Sequence, residues 1–338
     1  MDYSTLPLYS DSNEDIKVPF PNSMKFILSN YKHVTKPSKS LEEIAKIRKR
    51  NERIGKTATV ISKRGKKFKN VQMSNFRIPV NEVEIPIRIF SHSNKAPNST
   101  NRLFIHFHGG GWVHGDLEFY SPTCLRYAYH FDATIISVDY RKSPEHKFPI
   151  PFTDCKEVAK WIIENKCIFG KKEIPIYLIG ESAGGNLVAA VTQYLRDHQI
   201  NEIKGQILMY PVTDSSIDYH SVEKFKKGFL LTKESLIYFL DAYKSKDEDM
   251  ENPYFAPIKA LNFENLPPTI VVTDSHDVLR DQGYEYHKKL KSNGVESYYR
   301  NYLLTLHGFL NAPELFFRGS EMYKDFIEFI KEIFIVNE

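Results

Sequence analysis

Apolar and polar residues alternate along this chain with two different periods, and each period marks one kind of element. Period two comes first, at Phe76, Ile78 and Val80, then at Val83, Ile85, Ile87 and Ile89. It predicts strands at 76–80 and 83–89, paired antiparallel with one face toward water. Six later apolar runs, at 103–107, 133–138, 175–179, 205–210, 269–273 and 297–302, are more continuous and read as strands buried on both faces. Helical spacing separates them at 154–165, 183–197 and 278–292. A closing helix at 319–334 gathers Tyr323, Phe326, Ile327, Ile330, Ile333 and Phe334 on one side. Strands alternating with helices predict the α/β class: an eight-stranded, mostly parallel sheet with helices on both faces.

Two stretches stand outside that alternation. Residues 1–65 precede the sheet and hold a helix at 41–54, opened by Ser40 and Glu43 in capping-box spacing and stopped by Gly55. Residues 213–262 fall between strands and hold a helix at 233–244 with Leu236, Leu240 and Tyr243 on one side. The length of 338 residues suggests about two domains, a weak guide for α/β chains.

The chemistry concentrates where strands end. Gly180-Glu181-Ser182-Ala183-Gly184 joins the strand at 175–179 to the helix at 183–197. Glycines on both sides let the chain reverse sharply and lift the Ser182 hydroxyl out of the sheet, the arrangement of a nucleophile elbow. Upstream, the strand at 103–107 runs into His108-Gly109-Gly110-Gly111-Trp112, where backbone N–H groups can face a cavity without side chains in the way. Acyl transfer needs such donors for its oxyanion, and losing one typically costs about a hundred- to a thousandfold in rate. No Lys-Ser or Lys-Thr pair follows the glycines, which argues against a phosphate-binding loop.

The His108-Gly-Gly-Gly-Trp112 and Gly180-Glu-Ser-Ala-Gly-Gly185 motifs together resemble the hormone-sensitive-lipase-like family of α/β-hydrolases, which includes carboxylesterases and arylacetamide deacetylase. Between them, Tyr140-Arg141-Lys142-Ser143-Pro144-Glu145-His146-Lys147-Phe148-Pro149 is similar to a conserved segment of that family, and the likeness runs from about 100 to 310. The resemblance implies the α/β-hydrolase fold, a catalytic domain at 66–338, and a cap over the active site. The cap would comprise the helical segment 1–65 and the insertion 213–262. Phe225, Phe229, Tyr238, Phe239 and residues of the first 40 are expected to shape an acyl pocket. Glu181 departs from the Asp common in the family at that place, so the bracing of the elbow is open.

A serine nucleophile needs a base, and the base needs an acid, in the chain order Ser, acid, His. Asp274 and Asp277 both lie at the end of the strand at 269–273. The family's Asp-x-Leu-Arg-Asp pattern implies Asp277, and leaves Asp281 as a structural or capping carboxylate. His307, in Leu306-His307-Gly308-Phe309 after the last strand, sits in a setting like that of the family's catalytic His. Among 12 histidines, His108 and His146 belong to motifs where a structural role is expected, and His276 adjoins Asp277 in sequence, which usually turns side chains apart. The expected mechanism has His307 deprotonate Ser182, Asp277 orient His307, and the N–H groups of Gly110, Gly111 and Ala183 hold the oxyanion. Neither the histidines nor Cys124, Cys155 and Cys167 show zinc-ligand spacing, and no metal or other cofactor is expected.

Net charge is +4, but it is uneven: eleven Lys or Arg against Glu52 alone lie between Lys46 and Lys69, leaving about −6 elsewhere. Such a block can mark a nucleic-acid or anionic-membrane surface. A solvated surface without a nucleic-acid partner is expected, with weak membrane contact through Leu41, Ile44 and Ile47 as the alternative. No apolar stretch approaches the roughly twenty residues that span a bilayer. The first residues lack a signal-peptide pattern and the cysteine count is odd, so a cytoplasmic location is expected. The expected function is serine carboxylic-ester hydrolysis of short- to medium-chain acyl or acetyl esters. An amidase or deacetylase with the same triad, or a non-catalytic ligand receptor on the same fold, are the alternatives.

Overall fold

The computed structural model of the chain describes residues 6–15, 21, 28, 37, 38, 40–64, 68–92, 101–169 and 173–335. The strands are β1 (Tyr9–Ser10), β2 (Val71–Val80), β3 (Val83–His92), β4 (Leu103–Phe107), β5 (Thr134–Val138), β6 (Ile176–Glu181), β7 (Ile203–Met209), β8 (Thr269–His276) and β9 (Ser297–Leu306). They form one sheet in the order β1-β9-β8-β7-β6-β4-β5-β3-β2. The run from β5 through β4, β6, β7 and β8 to β9 is parallel. The predicted antiparallel pair is β2 and β3, with Ile78 opposite Ile85 and Val80 opposite Val83.

The sheet has nine strands, not the expected eight. The addition is β1, which pairs Tyr9 and Ser10 with Tyr302 and Asn301 at the free edge of β9. Two residues are too short to carry a period. They are extended because an edge strand offers unpaired N–H and C=O groups.

The helices are α1 (Leu41–Arg64), α2 (Leu117–Phe131), α3 (Ile150–Glu164), α4 (Ala183–Asp197), α5 (His220–Lys224), α6 (Lys233–Tyr243), α7 (Arg280–Ser292) and α8 (Gly319–Phe334). Strand alternation sorts the core into two layers. Leu103, Ile105 and Phe107 of β4 join Val158 of α3, Leu187 of α4 and Leu290 of α7. Phe104 points the other way, among Leu125 of α2 and Phe326 of α8. Helices therefore cover both faces.

Besides the short α5, which was not expected, and an earlier start of α3, two long helices differ from expectation. The pattern gave no sign of α2, which is buried nearly all round and so has no polar stripe, and whose Pro122 reads as a stop. Its start is set by the Asp116 carboxylate, which accepts the Phe119 N–H at 2.7 Å. The second, α1, does not stop at Gly55 but continues to Arg64. Gly55 marks a crossing instead: a Cβ there would come within 2.2 Å of the Glu118 carbonyl oxygen in α2. The missing side chain lets two helices touch.

Candidate active site

Ser182 sits between β6 and α4 with φ 55° and ψ −118°, a strained backbone for a residue with a side chain. The reversal is held from both ends. Ser182 N–H donates to the Met209 carbonyl at 2.9 Å, and the Ser182 carbonyl accepts from Asn186 N–H at 3.1 Å. A Cβ on Gly184 would lie 1.9 Å from the Phe107 carbonyl oxygen, so only glycine lets α4 start this close to β4.

The structure brings the three separated side chains together. Ser182 Oγ lies 3.0 Å from His307 Nε2, and His307 Nδ1 lies 2.6 Å from Asp277 Oδ2. The second Asp277 oxygen accepts the Leu279 N–H at 3.0 Å, which orients the carboxylate. Asp274 is close but differently engaged, accepting the Gly308 N–H at 3.1 Å. Complete burial and the adjacent Asp277 charge push its carboxyl well above the usual carboxylate range. Asp274, Asp277 and His307 could each offer an atom to an ion within a 4.8 Å span. With Asp274 Oδ2 on the Gly308 N–H and His307 Nδ1 on Asp277, they make a poor ligand set. Asp281 accepts from Asn13 Nδ2, Ser221 N–H and Arg280 Nε.

His276 and His108 are engaged away from Ser182. His276 packs its ring against Phe225 and Phe229. Burial, helped by nearby Arg280 and Lys224, pulls its pKa down to about 3. His108 is stacked between Tyr120 and Tyr140, 5.5 and 4.3 Å away, and donates from Nδ1 to the Gly109 carbonyl. Tyr140 in turn donates its hydroxyl to the His108 carbonyl at 2.7 Å. The Tyr140–Pro149 segment thus braces the glycine turn.

In that turn Gly110 and Gly111 have φ of +112° and +62°. Their N–H groups, and that of Ala183 at the start of α4, donate to no acceptor among the described residues. A Cβ on Gly111 would lie 2.3 Å from the Phe239 ring. Trp112 stacks on Tyr243 at 4.3 Å and 7°, which seats α6 over the turn.

Ser182, His307, Gly110 and Gly111 open onto a cavity of about 250 Å³ walled by Phe119, Leu230, Leu231, Leu236, Phe239 and Phe316. Of the aromatics expected there, Phe239 lines it; Phe225, Phe229 and Tyr238 do not. Residues 6–15 do not reach it, and most of the first 40 lie outside the described residues. Sequence reasoning missed Asn51 of α1 and His114, two polar side chains in this apolar wall. Burial, with Arg48 and Arg50 nearby, lowers His114 to about 4, so it is neutral. Its place two residues beyond Trp112 was the available signal.

Glu181 braces the elbow from below. Glu181 is fully buried; Oε2 accepts from His106 Nε2 at 2.8 Å and Oε1 from the Tyr127 hydroxyl at 3.2 Å. Burial alone would lower His106, but Cys124 and the Glu181 carboxylate outweigh it and push the imidazole up to about 10.

The family described as the α/β-hydrolase fold matches residues 104–311. The chain belongs to it. An arylesterase of Saccharolobus solfataricus is 34% identical over 240 residues, covering 71% of this chain and 77% of that protein. A carboxylic ester hydrolase of Mycobacterium tuberculosis is 33% identical over 252 residues, covering 73% of this chain and 66% of its own length. Among solved structures, a hyperthermophilic esterase from Pyrobaculum calidifontis superposes with a TM-score of 0.83 at 28% identity, covering 94% of this chain and all of that one. This is the hydrolase group that the glycine motifs resembled. No helix among the described residues is long and apolar enough to cross a membrane.

Proposed function

We propose that this α/β-hydrolase is a serine carboxylic-ester hydrolase for short- to medium-chain acyl esters, working through an acyl-enzyme. The supporting observation is the Ser182–His307–Asp277 chain of contacts, 3.0 and 2.6 Å long. His307 takes the Ser182 proton as Oγ attacks the ester carbonyl, then gives it to the departing alcohol. Asp277 holds the tautomer with Nδ1–H toward itself and stabilises the imidazolium. Gly110, Gly111 and Ala183 donate N–H groups to the oxyanion. Water then attacks the acyl-enzyme, with His307 as base again, and releases the acid.

A cavity near 250 Å³ is small beside drug-sized sites of roughly 300–1,000 Å³, which favours short and medium chains. Segments 1–65 and 213–262 act as a cap on the catalytic domain 66–338, a reading supported by Asn51 and Phe239 in the cavity wall. A cytoplasmic location fits three free cysteines, Cys167 among them exposed. Fluorophosphonate labelling of the native chain and of Ser182→Ala tests the nucleophile, with labelling expected only in the former. Matched p-nitrophenyl esters and anilides then test the bond cleaved; anilide hydrolysis at comparable rates would make it an amidase. Activity on neither would overturn the proposal.

A further inference from the structure

The helix α1 has two dissimilar faces. Inward, Ile44, Gly55 and Thr59 are buried and Asn51 reaches the substrate cavity. Arg48 anchors this side, donating to Glu145 and to the Val113 and Ser143 carbonyls at 2.8 to 3.0 Å. The outward face is different. At about 100° per residue, Lys46, Lys49, Arg50, Arg53, Ile54, Val60, Ile61 and Arg64 fall within an arc of about 140°, shared at the start of the helix by Glu42 and Glu43. All are exposed, Ile54 and Val60 to 51% and Ile61 to 64%. Lys46 is paired with Glu42 at 2.7 Å. Lys49, Arg50, Arg53 and Arg64 have no ion-pair partner among the described residues.

We propose that this outward face docks the protein on an anionic lipid surface, so that esters dissolved in the membrane enter beside Asn51. Charge complementarity selects the partner. Each Lys or Arg near an anionic leaflet strengthens binding by about fivefold, and four unpaired cations on one helix face act together. The three β-branched side chains choose between lipid and nucleic acid: phosphates would satisfy the cations but leave Ile54, Val60 and Ile61 in water, whereas the headgroup–acyl boundary takes both. Leu41, 58% exposed at the start of α1, lies about 60° from the buried Ile44 and is not part of this face. Docking itself is independent of catalysis. The delivery of esters rests on the esterase reading.

The test uses the full chain with Ser182→Ala, and vesicles of phosphatidylcholine alone or mixed with phosphatidylserine. Sedimentation with the anionic vesicles at low salt, and release at high salt, are expected. Lys49→Glu with Arg53→Glu should weaken that binding about 25-fold or more. Ile54→Ser with Ile61→Ser should weaken it too, while an active background carrying the same changes keeps its rate on a water-soluble acetate ester, which reports that the fold is intact. No binding to anionic vesicles would overturn the proposal. So would binding unchanged in either double variant, or a preference for duplex DNA that survives Ile54→Ser with Ile61→Ser. Vesicle binding by a chain with no esterase activity would leave docking standing and remove the delivery step.

Discussion

Two histidine–carboxylate pairs flank Ser182, one above the elbow and one beneath it, and they do opposite work. His307 and Asp277 meet at 2.6 Å, with the other imidazole nitrogen facing the serine hydroxyl and part of the ring open to the cavity. His106 and Glu181 meet at 2.8 Å, with the other nitrogen on Ser137 Oγ at 3.0 Å and no exposed surface on either side chain. In the proposed mechanism the upper pair takes and returns a proton because the serine hydroxyl faces it. The lower pair has both nitrogens committed and holds its proton up to about pH 10. The same functional groups thus suit a proposed base or a brace according to what lies at the second nitrogen.

The largest effects separate the pairs by activity. Ser182→Ala or His307→Ala should lower kcat on p-nitrophenyl butyrate by up to about a millionfold, and Asp277→Asn by about ten-thousandfold. Asp274→Asn should cost less than about tenfold, since Asp277 and not Asp274 holds the imidazole and Asn keeps the acceptor for Gly308 N–H. A loss at position 274 matching that at 277 would break the assignment of the acid.

Stability should separate them the other way. Glu181→Gln leaves a buried imidazole without its counter-charge, and denaturant unfolding should show a loss of about 3–5 kcal/mol. Asp277→Asn should change stability by less than about 1 kcal/mol by the same measurement. The sign of the pH dependence follows from the raised His106 value. With a folded pKa of about 10 above an ordinary 6.5, the pair's stabilisation is full below about pH 6.5 and is lost as pH rises through 10. Thermal unfolding should therefore fall across that window in the native chain, by a few kcal/mol at most, and fall less in His106→Asn. The smallest effect concerns the cavity: Phe239→Ala should shift the preferred acyl chain longer by about tenfold in relative kcat/KM, roughly the effect of a methylene or more of added room.

Much of this was legible before any coordinates. Parallel strands buried on both faces must be continuously apolar, and a chain reversing at a strand end needs glycine, so β4, β6 and the elbow announced themselves. The buried helix α2 did not, because a helix covered all round loses the stripe by which helices are recognised. Gly55 was legible as a glycine but misread as a stop, since close approach and chain termination leave the same mark.

Local pattern determined which residues could react: a hydroxyl on a forced turn, glycines before a cavity, an acid and an imidazole at strand ends. Those features depend on the backbone's short-range sterics, which neighbours in sequence largely dictate. Folding decided that Ser182 meets His307 across 125 positions, that burial beside Asp277 raises the Asp274 carboxyl, and that Glu181 finds His106 below the sheet. Proton affinity depends on burial and on charges a few ångströms away, and those distances exist only once strands far apart in the chain lie side by side.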